Sequence, residues 1–182
     1  MSLFATKSLL VDDLLTALEQ WVSWGWLRSV DRALVRWQLR QQPDTPVSVL
    51  LLTALASHQV GRGHVCLDLT ALLRDATATL ALPPERVRLT VAHQAYLPQQ
   101  LLAQCLGTHD LQQLLLVSLP SLSDLLARFS CILHLVDERL YLRRYFDSEQ
   151  RVAAAIHARL QPETLAVDQV MRHQRLLLGL AQ

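Results

Sequence analysis

The chain has 182 residues, 17 basic against 16 acidic side chains, a net charge of +1, and 51% hydrophobic residues. That length can bury a core without disulfides or metals, and that composition excludes a disordered segment. The balanced charge excludes a broad electrostatic grip of the whole chain on nucleic acid.

From the N-terminus, Ser8 is placed to cap a helix running to about Trp24. Leu10, Leu14, Leu15, Leu18, Trp21 and Val22 share one face, and Gly25 is a stop. Ser29 is placed as the cap of a second helix. There Val30, Ala33, Leu34 and Trp37 recur at i, i+3, i+4 and i+7, and that stripe is expected to face the core. Thr45 followed by Pro46 reads as a cap and a first-turn proline. The third helix, "VSVLLLTALASH", is apolar on nearly every side and belongs in the middle of a bundle.

Gly61 and Gly63 follow in "GRGHVCLDL" and are expected to turn the chain out of that helix as a C-cap, where glycine supplies the left-handed backbone. His64, Cys66 and Leu67 then form an extended segment tucked back against the helix, with His64 buried and bonded to backbone. Leu69, Leu72 and Leu73 suggest a short helix, Pro83 and Pro84 a break, and Pro98 to Leu106 a helix ended by Gly107. The leucine-rich stretch broken by Pro120 has no assignable type. "CILHLVDERLYLRR" reads as a β-hairpin turning at Asp137-Glu138, without the glycine that such turns favour. Asp147 or Ser148 should cap a helix with Val152, Ala153, Ile156 and Leu160 on one face. A last helix fills the C-terminal residues. The expected fold is mainly α, a helical bundle-like domain with one small β-hairpin near residues 131–144. The expected organisation is a domain over residues 1–161 and a helix over 162–182.

Cys66, Cys105 and Cys131 are few, odd in number and widely spaced, as in a reducing cytoplasm. The acids near the N-terminus do not suit a signal peptide, and the apolar runs are too short to span a bilayer. A soluble cytoplasmic protein without a membrane partner is therefore expected. The leucines at 176, 177, 178 and 180 suggest the front part of a longer protein.

The chemistry in "GRGHVCLDL" is thin. A phosphate loop needs a lysine and a different glycine spacing, and a zinc site needs a second ligand pair beside His64 and Cys66. A Cys66 nucleophile lacks an evident orienting partner. No catalytic, metal-binding or cofactor-binding residue is assigned. Trp24 and Trp26 flank Gly25 at a helix end and are candidates for a protein interface. Arg139, Arg143 and Arg144 at the hairpin are candidates for DNA contact, in an alternative reading as a stand-alone DNA-binding module.

Two stretches carry a resemblance. "LLTALASHQVGRGHVCLDL" is similar to a signature near the N-terminus of the exodeoxyribonuclease V alpha subunit family, RecD. Its residues here are Gly61, Gly63, His64, Val65, Cys66 and Leu67. "ERLYLRRYFDSEQRVA" resembles that family's hairpin strand and following helix, through Arg139, Leu140, Tyr141, Leu142, Tyr145 and Glu149. "LRSVD", Leu27 to Asp31, and "LLLVSLPSL" stand where the family places related segments, in the same order across about residues 27 to 160.

The resemblance implies the N-terminal domain of a helicase subunit of RecBCD, which acts in double-strand-break repair. That domain is implied to dock on a RecC-like subunit, with a RecB-like subunit in the complex and DNA held by the whole assembly. The full-length family uses ATP and magnesium. This chain has no G-x-x-x-x-G-K-[ST] loop, so no ATPase residue is carried over and no cofactor is expected in it.

Overall fold

The computed structural model describes residues 10–85, 87–106, 123–124, 126–129 and 132–160. The chain divides into two compact units, Met1–Phe146 and Asp147–Gln182. Ser8, Gly107, Cys131, the leucine-rich stretch around Pro120 and the C-terminal helix expected after Pro162 lie outside the described residues.

Helix α1 spans Val11–Ser23 and buries Leu14, Ala17, Leu18 and Trp21. Asp12 and Asp13 in its first turn suit the positive end of the helix dipole. The Leu10 amide donates to the Asp13 carboxylate at 3.4 Å, satisfying one of the amides that a helix start leaves without a partner. Beyond the helix Gly25 takes a φ of +73°, which glycine adopts without a steric penalty.

Helix α2 spans Ser29–Gln41, and Arg28, not Ser29, is its cap. Its buried face is not the apolar stripe. Asp31, Val35 and Gln38 turn inward, while Val30 is 57% and Trp37 is 41% exposed. Ala33 is also exposed and Leu34 is half-buried.

The reason lies in helix α3, Val47–Gly61, which is buried at every residue from Val49 to Gln59. It offers polar groups to α2 at two levels. The Ser57 hydroxyl donates to Asp31 Oδ1 at 2.7 Å, and the Thr53 hydroxyl donates to Gln38 Oε1 at 2.6 Å. Asp31 and Gln38 are wholly buried because these partners satisfy them. Helix α3 begins at Val47 after a Pro46 cap, so the expected Thr45 cap is replaced; the Thr45 hydroxyl donates instead to the Gln42 carbonyl at 2.6 Å.

After α3 come strand β1 (Cys66–Asp68) and helices α4 (Leu69–Arg74) and α5 (Ala76–Leu80). Asp68 caps α4 through the Ala71 amide at 2.8 Å, and Asp75 caps α5 through the Ala78 amide at 2.9 Å. The last carbonyls of α5 are satisfied from α3. His58 Nε2 donates to the Leu80 carbonyl at 3.0 Å. Gln59 Nε2 and an Arg62 guanidinium nitrogen donate to the Thr79 carbonyl at 2.6 and 3.1 Å. The buried polar residues of this apolar helix, Thr53, Ser57, His58 and Gln59, each meet a backbone group or a side chain of a neighbouring element.

Helices α6 (Val91–Gln94) and α7 (Pro98–Leu106) follow, and α7 buries Leu101 and Leu102. Strands β2 (Leu133–Val136) and β3 (Arg139–Leu142) make the expected hairpin. Asp137 takes the left-handed φ of +54° in its turn, a conformation that aspartate tolerates better than most residues. The hairpin is not alone, because β1 joins it to give an antiparallel sheet in the order β1-β3-β2. Helix α8, Arg143–Leu160, begins directly after β3, so Asp147 and Ser148 lie inside it rather than at its cap.

Candidate functional site

The family-motif residues from Gly61 to Tyr145 lie in the unit Met1–Phe146. Strand β1 pairs with β3 in the register Cys66 with Tyr141, Leu67 with Leu140 and Asp68 with Arg139. Leu67 and Leu140 are 1% and 0% exposed, and Leu142 is also buried. Cys66 and Tyr141 are half-buried at the neighbouring positions. The Glu138 carbonyl accepts the Leu69 amide at 2.9 Å, and the Thr70 hydroxyl donates to the Glu138 carboxylate. The hairpin turn is thereby fastened to the start of α4.

Arg28 ties the "LRSVD" segment to the end of α3. Its backbone amide and its guanidinium donate to the Asp31 carboxylate at 2.9 and 2.7 Å. The same guanidinium donates to the Ser57 carbonyl at 2.8 Å. The hydrogen bond to Asp31 holds the Arg28 pKa above its usual value, and the carboxylate charge adds to this while burial opposes it. A Cβ added to Gly61 would fall on the carbon and two nitrogens of this guanidinium. Gly61 therefore makes room for Arg28, and it lies within α3 rather than capping it. The left-handed residue of the turn is Gly63, with φ +91°.

Expected and observed positions differ at three further places. His64 is exposed, and the buried histidine bonded to backbone is His58. Burial pushes the His58 pKa below that of a free imidazole, and the Leu80 carbonyl only partly offsets this. Trp26 is 2% exposed and cannot meet a partner in this fold. Trp24 is half-buried, with ring centroids 5.1 Å from Trp26, 4.3 Å from His93 and 5.7 Å from Tyr96. These aromatics, with the Trp21 indole donating to the Tyr96 carbonyl at 2.7 Å, hold the segment around α6 against the end of α1. The outward tryptophan is Trp37, which the sequence assigns to the core.

The hairpin arginines are all exposed. The Arg143 guanidinium donates to the Leu133 carbonyl at 3.5 Å, and the Arg144 guanidinium donates to the Tyr145 hydroxyl at 2.9 Å and lies over its ring. Val65 is exposed beside the turn, Tyr145 is half-buried against the core, and Glu149 is half-buried on α8. Among the described residues no three His, Cys, Asp or Glu side chains cluster so as to hold a metal ion, and no helix is long and apolar enough to cross a membrane. Arg28 and Asp31 of the "LRSVD" segment are engaged with each other and with Ser57, which is the chemistry of a joint between elements.

Sequence reasoning missed Arg28, Asp31, Ser57 and Gln38 as the polar joint. The available signal was a buried-looking helix, α3, with serine, threonine and histidine at helical spacing opposite a second helix carrying Asp31 and Gln38. No curated protein matches the chain. A family model described as "RecBCD enzyme subunit RecD, N-terminal domain" matches residues 23–141, from the end of α1 through the hairpin strand β3. Leu142, Tyr145 and Glu149 lie beyond the matched residues, while the Arg28–Asp31 joint, the Gly61 to Leu67 turn and the β1–β3 pairing lie within them. The chain belongs to the family of RecD N-terminal domains of the RecBCD enzyme.

Proposed function

We propose that this chain is the non-catalytic, RecC-docking N-terminal domain of a RecD-like ATP-dependent DNA helicase subunit of exodeoxyribonuclease V. It serves double-strand-break repair by recombination in the cytoplasm. ATP and magnesium belong to the motor of the full-length subunit, and DNA is held by the assembled complex with its RecB-like and RecC-like subunits. The observation that carries this reading is the family match across residues 23–141. Two features support it. The chain has no G-x-x-x-x-G-K-[ST] loop, and the motif residues Gly61, Leu67, Leu140 and Leu142 are spent on packing.

The test is reconstitution with the purified RecC-type subunit. The 182-residue chain should co-elute with it on gel filtration and should show no DNA-stimulated ATP hydrolysis of its own. DNA-dependent ATP turnover by the isolated chain, or no association with the RecC-type subunit, overturns the reading.

A further inference from the structure

We infer that the outward face of α2 is the docking anchor of this domain, inserted into an apolar groove on its partner subunit that carries a carboxylate at one edge. This rests on the docking role proposed above and names the surface that performs it. Val30, Ala33, Leu34 and Trp37 stand at i, i+3, i+4 and i+7, the spacing by which an amphipathic helix enters a groove on another protein. Val30 is 57% and Trp37 41% exposed, Ala33 is exposed, and Leu34 is half-buried. The opposite face is already satisfied, with Asp31 and Gln38 bonded to α3. Rolling the helix to hide Trp37 would break both bonds and strand two buried polar groups. The stripe is therefore held outward by the core, and among the described residues it stands without a full cover.

Charge identifies the occupant. At 100° per residue, Arg36 and Arg40 follow one edge of the stripe. Glu19 on α1 pairs with Arg32 and, at 3.4 Å, with Arg36. Arg40 is exposed and has no ion-pair partner among the described residues. The only acid of α2, Asp31, is buried. The edge thus calls for a carboxylate on the partner beside Arg40. A second copy of this chain fits poorly, because an antiparallel two-fold pairing through the stripe sets the arginine edge against itself. A single-stranded nucleic acid fits poorly too. The stripe offers one aromatic ring among aliphatic groups, and Glu19 already neutralises part of the arginine charge.

The experiment measures binding of the full 182-residue chain to the purified RecC-type subunit, with circular dichroism and thermal midpoint as folding checks. Trp37→Ala and Val30→Asp are expected to weaken binding by at least about tenfold, the loss usual for a central aromatic or apolar anchor. Both variants should melt with the wild type, because both side chains are exposed. Arg40→Glu should weaken binding and reduce its dependence on salt. Ile156→Asp, an exposed apolar change on α8, should leave binding within about twofold. If wild type binds and the folded Trp37 and Val30 variants bind equally well, the α2 surface is overturned while the docking role stands. If wild type fails to bind, the docking role falls and the surface with it. Self-association, or binding to a single-stranded oligonucleotide, that is lost in Trp37→Ala would also overturn the assignment, in favour of a second copy or nucleic acid.

Discussion

Leu67 and Leu140 face each other across β1 and β3, both almost wholly buried, and they join the two sequence stretches that carry the family resemblance. One comes directly after the Gly61–Gly63 turn, and the other lies within the hairpin. Leu67 stands in a three-residue strand and Leu140 in a four-residue one, so neither strand could stand without the other and the core behind them.

Truncating this pair should be costly. Leu140→Ala and Leu67→Ala are each expected to lower unfolding free energy by about 2–4 kcal/mol, the range for a large-to-small change in a closed core. The double variant should lose less than the sum of the two, because both changes open the same space. Urea midpoints for the four proteins measure this, and strict additivity would contradict direct packing.

Gly61 and Arg28 form a second testable pair. Gly61→Ala is expected to destabilise the domain by about 1–3 kcal/mol, because the new methyl meets a guanidinium anchored to Asp31 and Ser57. In an Arg28→Ala background the sign should reverse or the effect vanish. Alanine favours a helix over glycine by about 1 kcal/mol, and the obstructing group is then gone. Thermal melts of the four combinations decide it.

Acid sensitivity should trace to His58. Its folded pKa lies below the free value of about 6.5, so the unfolded chain binds the proton more readily. The His58 contribution is therefore fully present above about pH 6.5 and is lost as pH falls toward the lower folded value. The fields of Asp31, Arg62 and Arg28 adjust this, and burial dominates. His58→Gln should be less stable at neutral pH yet lose less stability between pH 7 and pH 5. Denaturation midpoints across that range test the sign.

The Cys105 thiol should resist alkylation. Burial pushes its pKa up to about 12, so almost no thiolate is present at neutral pH. Peptide mapping after iodoacetamide treatment should show Cys105 labelled slowly in the folded chain and quickly in urea. Fast labelling in the folded state would show that the thiol is open to solvent.

Asp137 holds the hairpin turn with a left-handed φ of +54°. Asp137→Gly should be neutral or stabilise by up to about 1 kcal/mol, since the residue already holds a positive φ. Asp137→Val should destabilise by about 1–2 kcal/mol, because a branched side chain is strained there. Hydrogen exchange at the hairpin amides reports both.

The sequence by itself determined the helical class, the central place of α3, the hairpin, the stop at Gly25 and the family. These follow from local patterns, namely an all-round apolar helix, alternation in short β-branched and aromatic runs, and motif residues in order. Only the tertiary structure decided which face of α2 is inside. Periodicity assigns Val30, Leu34 and Trp37 to the core, whereas Asp31 and Gln38 occupy it. A buried polar group is stable only when another element brings its partner, and Ser57 and Thr53 belong to a different helix. The same reason separates Gly61 from Gly63 and His58 from His64. Which glycine must be small and which histidine is buried depends on Arg28 and Leu80, neighbours that come close only after the chain has folded.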